Sequence, residues 1–113
     1  MKAGVPHVEA PPAVLERMLT VRIHLDPMTA ANGPLKVLPG THRTRQVMPS
    51  ATVSPHSVLG DAGDVLVMRP LLAHASGRSD PETRLHRRVL HLEFAADPDL
   101  TDGYEWHRFI PGQ

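Results

Sequence analysis

The chain has 113 residues and a mass of 12.4 kDa, which is room for one domain or part of one and not for a second. Its 12 lysine and arginine residues balance 12 aspartate and glutamate residues, so no net field draws it to nucleic acid or to an anionic membrane surface. Cysteine is absent and no apolar run approaches the roughly 18 residues of a bilayer span, which sets aside disulfide, thiolate and membrane-spanning classes.

With 41% hydrophobic residues, 4% aromatic residues and 12 prolines, the composition suits short strands and turns better than long helices, and a mainly β fold is expected. Residues 1–13 carry Pro6, Pro11 and Pro12 without a clear period and read as an extended arm. They lack the apolar centre of a signal peptide, and a cysteine-free chain of this kind fits a reducing cytoplasm, the compartment expected here. The stretch VLERMLTVRIHLD opens with helical spacing at Val14 and ends in alternation. Val21, Ile23 and Leu25 point one way and Arg22, His24 and Asp26 the other, which predicts a strand over 19–26. Asn32-Gly33 is a strong local turn signal, and Leu35, Val37 and Leu38 then form a short apolar strand that stops at Pro39-Gly40.

From Thr41 to His56 the chain is polar and irregular, and a loop of that length in a compact domain is more often functional than idle. A turn at Gly60-Asp61-Ala62-Gly63-Asp64 feeds VLVMRPLLAHAS, an apolar run interrupted by Pro70 that puts His74 near a strand end. After the polar loop GRSDPETRLH, RRVLHLEFA is the clearest strand of all. Leu90, Leu92 and Phe94 share one face, and Arg87, Val89, His91 and Glu93 share the other, unusually polar one. The tail GYEWHRFIPG, with the single tyrosine Tyr104 and the single tryptophan Trp106, is expected to act as a covering segment. Some six short strands without alternating long helices favour a sandwich or a cupin-like jelly roll.

Eight histidines in so short a chain raise the question of a metal site, because imidazole is the commonest protein ligand of transition metals. His7, His42, His56, His86, His91 and His107 are expected to be surface or hydrogen-bonded residues of no catalytic role. His91 and Glu93 would face inward beside Arg87, where they either line a pocket or make a hydrogen bond at the barrel mouth. His74 and His24 stand apart from the rest.

Four blocks in order, Asn32-Gly33-Pro34-Leu35, Pro39-Gly40-Thr41-His42, Gly63-Asp64, and His74-Ala75-Ser76 followed by Arg87-Arg88, resemble the phytanoyl-CoA dioxygenase family over about three quarters of the chain. The resemblance implies a double-stranded β-helix, here an incomplete barrel, with Fe(II) and 2-oxoglutarate as cofactors and a small organic molecule as substrate. It implies that His74 is the distal histidine of a two-histidine-one-carboxylate triad, and that Ser76 and Arg87 hold the far carboxylate of 2-oxoglutarate. A guanidinium fork suits that role. The loop after His74 is longer than is common in the family, which leaves Arg88 and Arg84 as alternatives; alternation favours Arg87, because Arg88 falls on the side of Leu90, Leu92 and Phe94.

The family's remaining ligands form a His-x-Asp motif upstream of the NGPL turn, and they are expected before Met1. His24-Leu25-Asp26 has the right letters on one strand face, but Leu25-Asp26 matches a pair common in the family at that place, so a triad of His24, Asp26 and His74 is the lesser alternative. The expectation is a single domain over 1–113 that is the C-terminal portion of such an oxygenase and is inactive by itself, with sheet edges covered by a second copy or by the missing N-terminal half. Hydroxylation is the favoured reaction; halogenation stays open because the triad carboxylate lies outside the chain. Two other readings compete. One is a non-enzymatic cupin-like binding or assembly module that has lost its metal. The other takes the basic stretches His42-Arg43-Thr44-Arg45 and Arg84-Leu85-His86-Arg87-Arg88 as a site for a phosphate or CoA-linked substrate.

Overall fold

The computed structural model describes residues 2–44 and 53–113. Their elements are a single helical turn, α1 (Pro12–Leu15), the strands β1 (Leu19–His24), β2 (Leu35–Val37), β3 (His56–Ser57), β4 (Val65–Met68), β5 (His74–Ser76) and β6 (Val89–Phe94), and 3-10 turns at Thr41–Arg43 and Thr101–Gly103. Pro12 occupies the first turn of α1, where its fixed φ and missing N–H cost nothing. The alternating Thr20-Val21-Arg22-Ile23 stretch that follows belongs to a strand instead. Among the described residues no helix is long and apolar enough to cross a membrane.

The strands form two small antiparallel sheets, ordered β4-β1-β6 and β3-β2-β5. The chain therefore changes sheet after β1, β3, β4 and β5. The mainly β expectation holds, but the two sheets do not close into a barrel. The run VLVMRPLLAHAS, read as one interrupted strand, is divided between the sheets. A turn closed by the Leu72 N–H on the Arg69 carbonyl (3.0 Å) ends β4, Pro70 having no N–H for a ladder, and His74 opens β5 on the other sheet. The loop expected over Thr41–His56 contains the first 3-10 turn and ends on the first residue of β3, and its middle lies outside the described residues.

Register decides which faces are inner. Thr20 pairs with Met68 and Glu93, and Arg22 with Leu66 and His91; directly paired residues point to the same side of an antiparallel sheet. That side meets the core, where Leu35, Val37 and Met68 are buried with Val58, Leu66 and Leu72 against them. The opposite face carries Val21, Ile23, Val65, Val67, Leu90, Leu92 and Phe94, and Val67 and Phe94 are 56% and 55% exposed. The apolar stripe that marks β6 in the sequence thus looks outward, while the polar stripe looks in.

The turn between β1 and β2 is held by Asn32, which is fully buried. Its Oδ1 accepts from the Thr29 backbone N–H (2.9 Å), and its Nδ2 donates to the carbonyls of Pro27 (2.8 Å) and His86 (3.1 Å). One amide therefore closes its own turn and anchors the segment that enters β6. Asn32→Ala leaves these groups buried and unpaired. It is expected to lower the unfolding free energy by about 2–4 kcal/mol, measured as a fall in the urea midpoint at unchanged slope; a change below about 0.5 kcal/mol would mark the network as dispensable.

Candidate functional site

His74 and Ser76 share β5, and Arg87 reaches Gly77, the residue after Ser76. β5 hangs on β2, with His74 opposite Val37 and Ser76 opposite Leu35. Ahead of His74, the buried Thr41 acts as a clamp. Its Oγ1 donates to the Leu38 carbonyl (2.7 Å) and accepts from the Ala73 N–H (2.9 Å), while the Leu38 N–H meets the Ala73 carbonyl (2.9 Å). Gly40, at φ +81°, supplies the left-handed residue that turns the chain into this clamp. The His74 ring is exposed, and its Nδ1 lies 2.6 Å from the Leu72 carbonyl. A carbonyl only accepts, so Nδ1 carries the proton in this contact and Nε2 is the ring nitrogen left for another partner, the arrangement that orients a metal-binding imidazole.

Arg87 reaches back across the NGPL turn. Its Nη1 donates to the carbonyls of Gly33 and Gly77, the latter at 3.1 Å and directly after Ser76. The approach is close enough to require glycine: a Cβ on Gly33, whose φ is +71°, would lie 2.6 Å from the Gly77 oxygen and 2.7 Å from Arg87 Nη1. Of the alternatives, Arg88 is committed elsewhere. Its Nε and Nη2 grip the two oxygens of Asp26 at 2.9 and 2.8 Å, and its backbone N–H adds a third bond at 2.8 Å. Arg84 is exposed in the loop. In the basic stretch 84–88, Arg87 and Arg88 are thus tied to different groups, and Arg45 of the other basic stretch lies outside the described residues.

The sequence reading placed Arg22 on the polar face of β1 but gave it no role. In the structure it sits opposite His91 on the inner face, and its Nε is buried with no hydrogen-bond partner. Burial, and then the neighbouring charge of Arg87, push its pKa down from the ordinary arginine value. The acids nearby are occupied. Glu93 accepts from Thr20 Oγ1 (2.8 Å) and faces His91 Nε2 (2.6 Å), and Asp26 is taken by Arg88. His91 and Glu93 also border a cleft that wraps the edge of β6, with Met18, Phe94, Trp106 and Phe109 along it. The tail is thereby placed against β6.

His24 is buried beneath the Gly60–Asp64 turn, its backbone N–H on the Asp64 carbonyl (2.9 Å) and its carbonyl accepting from Gly63 (2.8 Å). Its Nδ1 has no partner, and a Cβ on Gly60 would come within 3.2 Å of it. No group of three histidine, aspartate or glutamate side chains suited to a metal ion forms among the described residues. His24, Asp26 and His74 are thus not assembled into a triad among the described residues. An anion is a different matter: Arg22 and Arg87 lie on the same face of the sheet and neither is in an ion pair among the described residues, a donor set that suits a carboxylate ligand.

Residues 5–89 match the family model described as phytanoyl-CoA dioxygenase. Among curated proteins, dioxygenase lolE1 of Epichloe uncinata is 30% identical over 96% of this chain and 47% of its own length. The iron/alpha-ketoglutarate-dependent dioxygenase ausO of Aspergillus calidoustus is 30% identical over 75% of this chain and 30% of its own. The chain therefore spans less than half the length of these relatives. No solved structure matches it.

The Asp26–Arg88 pair has a pH signature. Hydrogen bonds from Arg88 lower the Asp26 pKa to about 2, below the roughly 3.9 of an unfolded aspartate. Because the folded pKa is the lower one, the stabilisation is complete above about 4 and is lost as pH falls toward about 2. Asp26→Asn is expected to flatten the stability profile in that window and leave its shape above pH 5 unchanged, as followed by urea unfolding at stepped pH. An unaltered acid limb in the variant would assign the transition to other carboxylates.

Proposed function

The chain belongs to the phytanoyl-CoA dioxygenase family, and on that premise we propose that it forms the 2-oxoglutarate-binding part of an iron(II)- and 2-oxoglutarate-dependent dioxygenase that hydroxylates a small organic substrate. The observation that carries this reading is the convergence of Arg87 on the Gly33–Gly77 junction, immediately beyond Ser76 at the end of the strand that His74 begins. In this reading Arg87 and Ser76 hold the far carboxylate of 2-oxoglutarate, the guanidinium by charge-assisted hydrogen bonds and the hydroxyl by a single donated one. His74 contributes Nε2 to the metal, and the other ligands come from outside the described residues. The two sheets are taken as walls of a double-stranded β-helix, a reading supported by the way the chain passes between them after β1, β3, β4 and β5. Iron and 2-oxoglutarate supply the oxidising chemistry when bound; this chain's own residues bind and orient.

The absence of a three-residue metal cluster among the described residues favours one second reading, a binding module that keeps the carboxylate site without turnover. Calorimetric titration of 2-oxoglutarate into the 113-residue chain, with and without Fe(II) under anaerobic conditions, separates the two. Under the proposal the chain binds 2-oxoglutarate, Arg87→Gln weakens binding at least about tenfold, corresponding to the 1.5–3 kcal/mol of a hydrogen bond to a charged group, and any gain in affinity from Fe(II) disappears in His74→Ala. A binding module shows the Arg87 effect and no response to Fe(II). Equal affinity in wild type and Arg87→Gln would overturn the carboxylate assignment itself.

A further inference from the structure

We infer that Arg22 is a second carboxylate-binding residue of this site, its guanidinium sharing one carboxylate of 2-oxoglutarate with Arg87 across the inner faces of β1 and β6. The inference rests on the proposed function and adds to it a residue that neither the motif nor the family resemblance marks.

Three observations converge on Arg22. The first is position: β1 is the central strand of its sheet, and Arg22 lies on the face that meets the core, directly opposite His91 and Leu66. A guanidinium in such a place is normally matched by an acid, because burying an uncompensated charge is costly. The second is the fate of the acids. Glu93 is satisfied by Thr20 and His91, and Asp26 by Arg88. No ion pair reaches Arg22 or Arg87 among the described residues. The third is the orphaned donor itself, Arg22 Nε, enclosed by protein and bonded to nothing.

Arg22 and Arg87 lie on one face of the sheet as like charges, and neither has an ion-pair partner among the described residues; Asp64, on the same face, accepts from the Asp61 backbone N–H (2.8 Å). A carboxylate supplies two oxygens and a delocalised charge, so it can accept from both forks at once and remove their repulsion. Arg87 has one nitrogen tied to the Gly33 and Gly77 carbonyls, which holds its fork in place and leaves the other nitrogens for the ligand. Arg22, lacking any such tie, contributes charge and donors that are strained without a ligand and relieved with one. The ligand-free protein is therefore expected to carry a stability cost at Arg22 that the liganded protein does not, as residues kept for binding often do.

This opposition of stability and binding gives the test. 2-Oxoglutarate is titrated calorimetrically into the metal-free 113-residue chain and into Arg22→Gln, Arg22→Lys and Arg87→Gln, with inorganic phosphate as the comparison anion and thermal unfolding recorded for each protein without ligand. The expected result is a loss of about tenfold or more in 2-oxoglutarate affinity for Arg22→Gln, a smaller loss for Arg22→Lys, which keeps the charge without the fork, and a melting temperature for Arg22→Gln equal to or above that of the wild type. Unchanged affinity in Arg22→Gln with lost affinity in Arg87→Gln would overturn the role of Arg22 and leave the proposed function standing. Affinity and melting temperature falling together in Arg22→Gln and Arg22→Lys would make Arg22 a structural residue and overturn the inference. Phosphate bound more tightly than 2-oxoglutarate would overturn the carboxylate as ligand, and a wild-type chain that binds no 2-oxoglutarate would remove the proposed function and this inference together.

Discussion

The arrangement of the site depends on a single buried amide. Asn32 has two acceptor lone pairs and two donor hydrogens, and the structure employs both ends: Thr29 at the oxygen, and Pro27 and His86 at the nitrogen. Two of these partners are local and shape the turn, whereas His86 lies on a segment that is remote in sequence. By fixing the His86 carbonyl, Asn32 decides where Arg87 starts and therefore that its fork comes down on Gly33, the very next residue. Gly33 must then lack a side chain, since a Cβ would occupy the space of the guanidinium and of the Gly77 oxygen. The Asn-Gly pair thus combines a satisfied buried amide with a close approach, two requirements that are separate in physics and adjacent in sequence.

The inner face of the β4-β1-β6 sheet departs from the usual division into apolar inside and polar outside. Thr20, Arg22, His24, His91 and Glu93 share it with Leu66 and Met68, and the strongly apolar residues of the same strands look outward. A polar inner face persists only when its charges are matched, and most of them are. Glu93 joins His91 and Thr20, and Asp26 at the strand's end takes Arg88 on two oxygens. The two guanidiniums outside this scheme lie where a dicarboxylate cofactor is proposed to bind. Such local mismatches are found at binding sites, where the ligand completes a set that the chain leaves open.

The sequence blocks behind the family resemblance prove to be largely scaffolding. Thr41, in the block Pro39-Gly40-Thr41-His42, touches no proposed ligand; it clamps Ala73 and so sets the strand on which His74 sits. Gly63 and Asp64 cap the end of β1 through bonds to His24. Residues that support the site from behind are read as motif letters just as readily as those proposed to touch cofactor, because both are tied to a single geometry.

Alternation, turn residues and the order of motifs are local properties, and they are enough to read β1, β2 and β6, the Asn32-Gly33 turn, and the grouping of Arg87 with His91 and Glu93 on one face. They mislead where a feature depends on what lies across the fold. One apolar run became two strands in different sheets because Pro70 and the Leu72 turn broke its ladder, and what engages Asp26 of His24-Leu25-Asp26, the lesser metal alternative by sequence, is Arg88 from far along the chain. Alternation puts Arg87 and Arg88 on opposite faces, but it does not tell which acid either of them meets. Tertiary structure does, because ion pairing is settled between groups that meet in space: Asp26 and Arg88 are 62 residues apart and pair, while Arg87 turns to the Gly33 and Gly77 carbonyls.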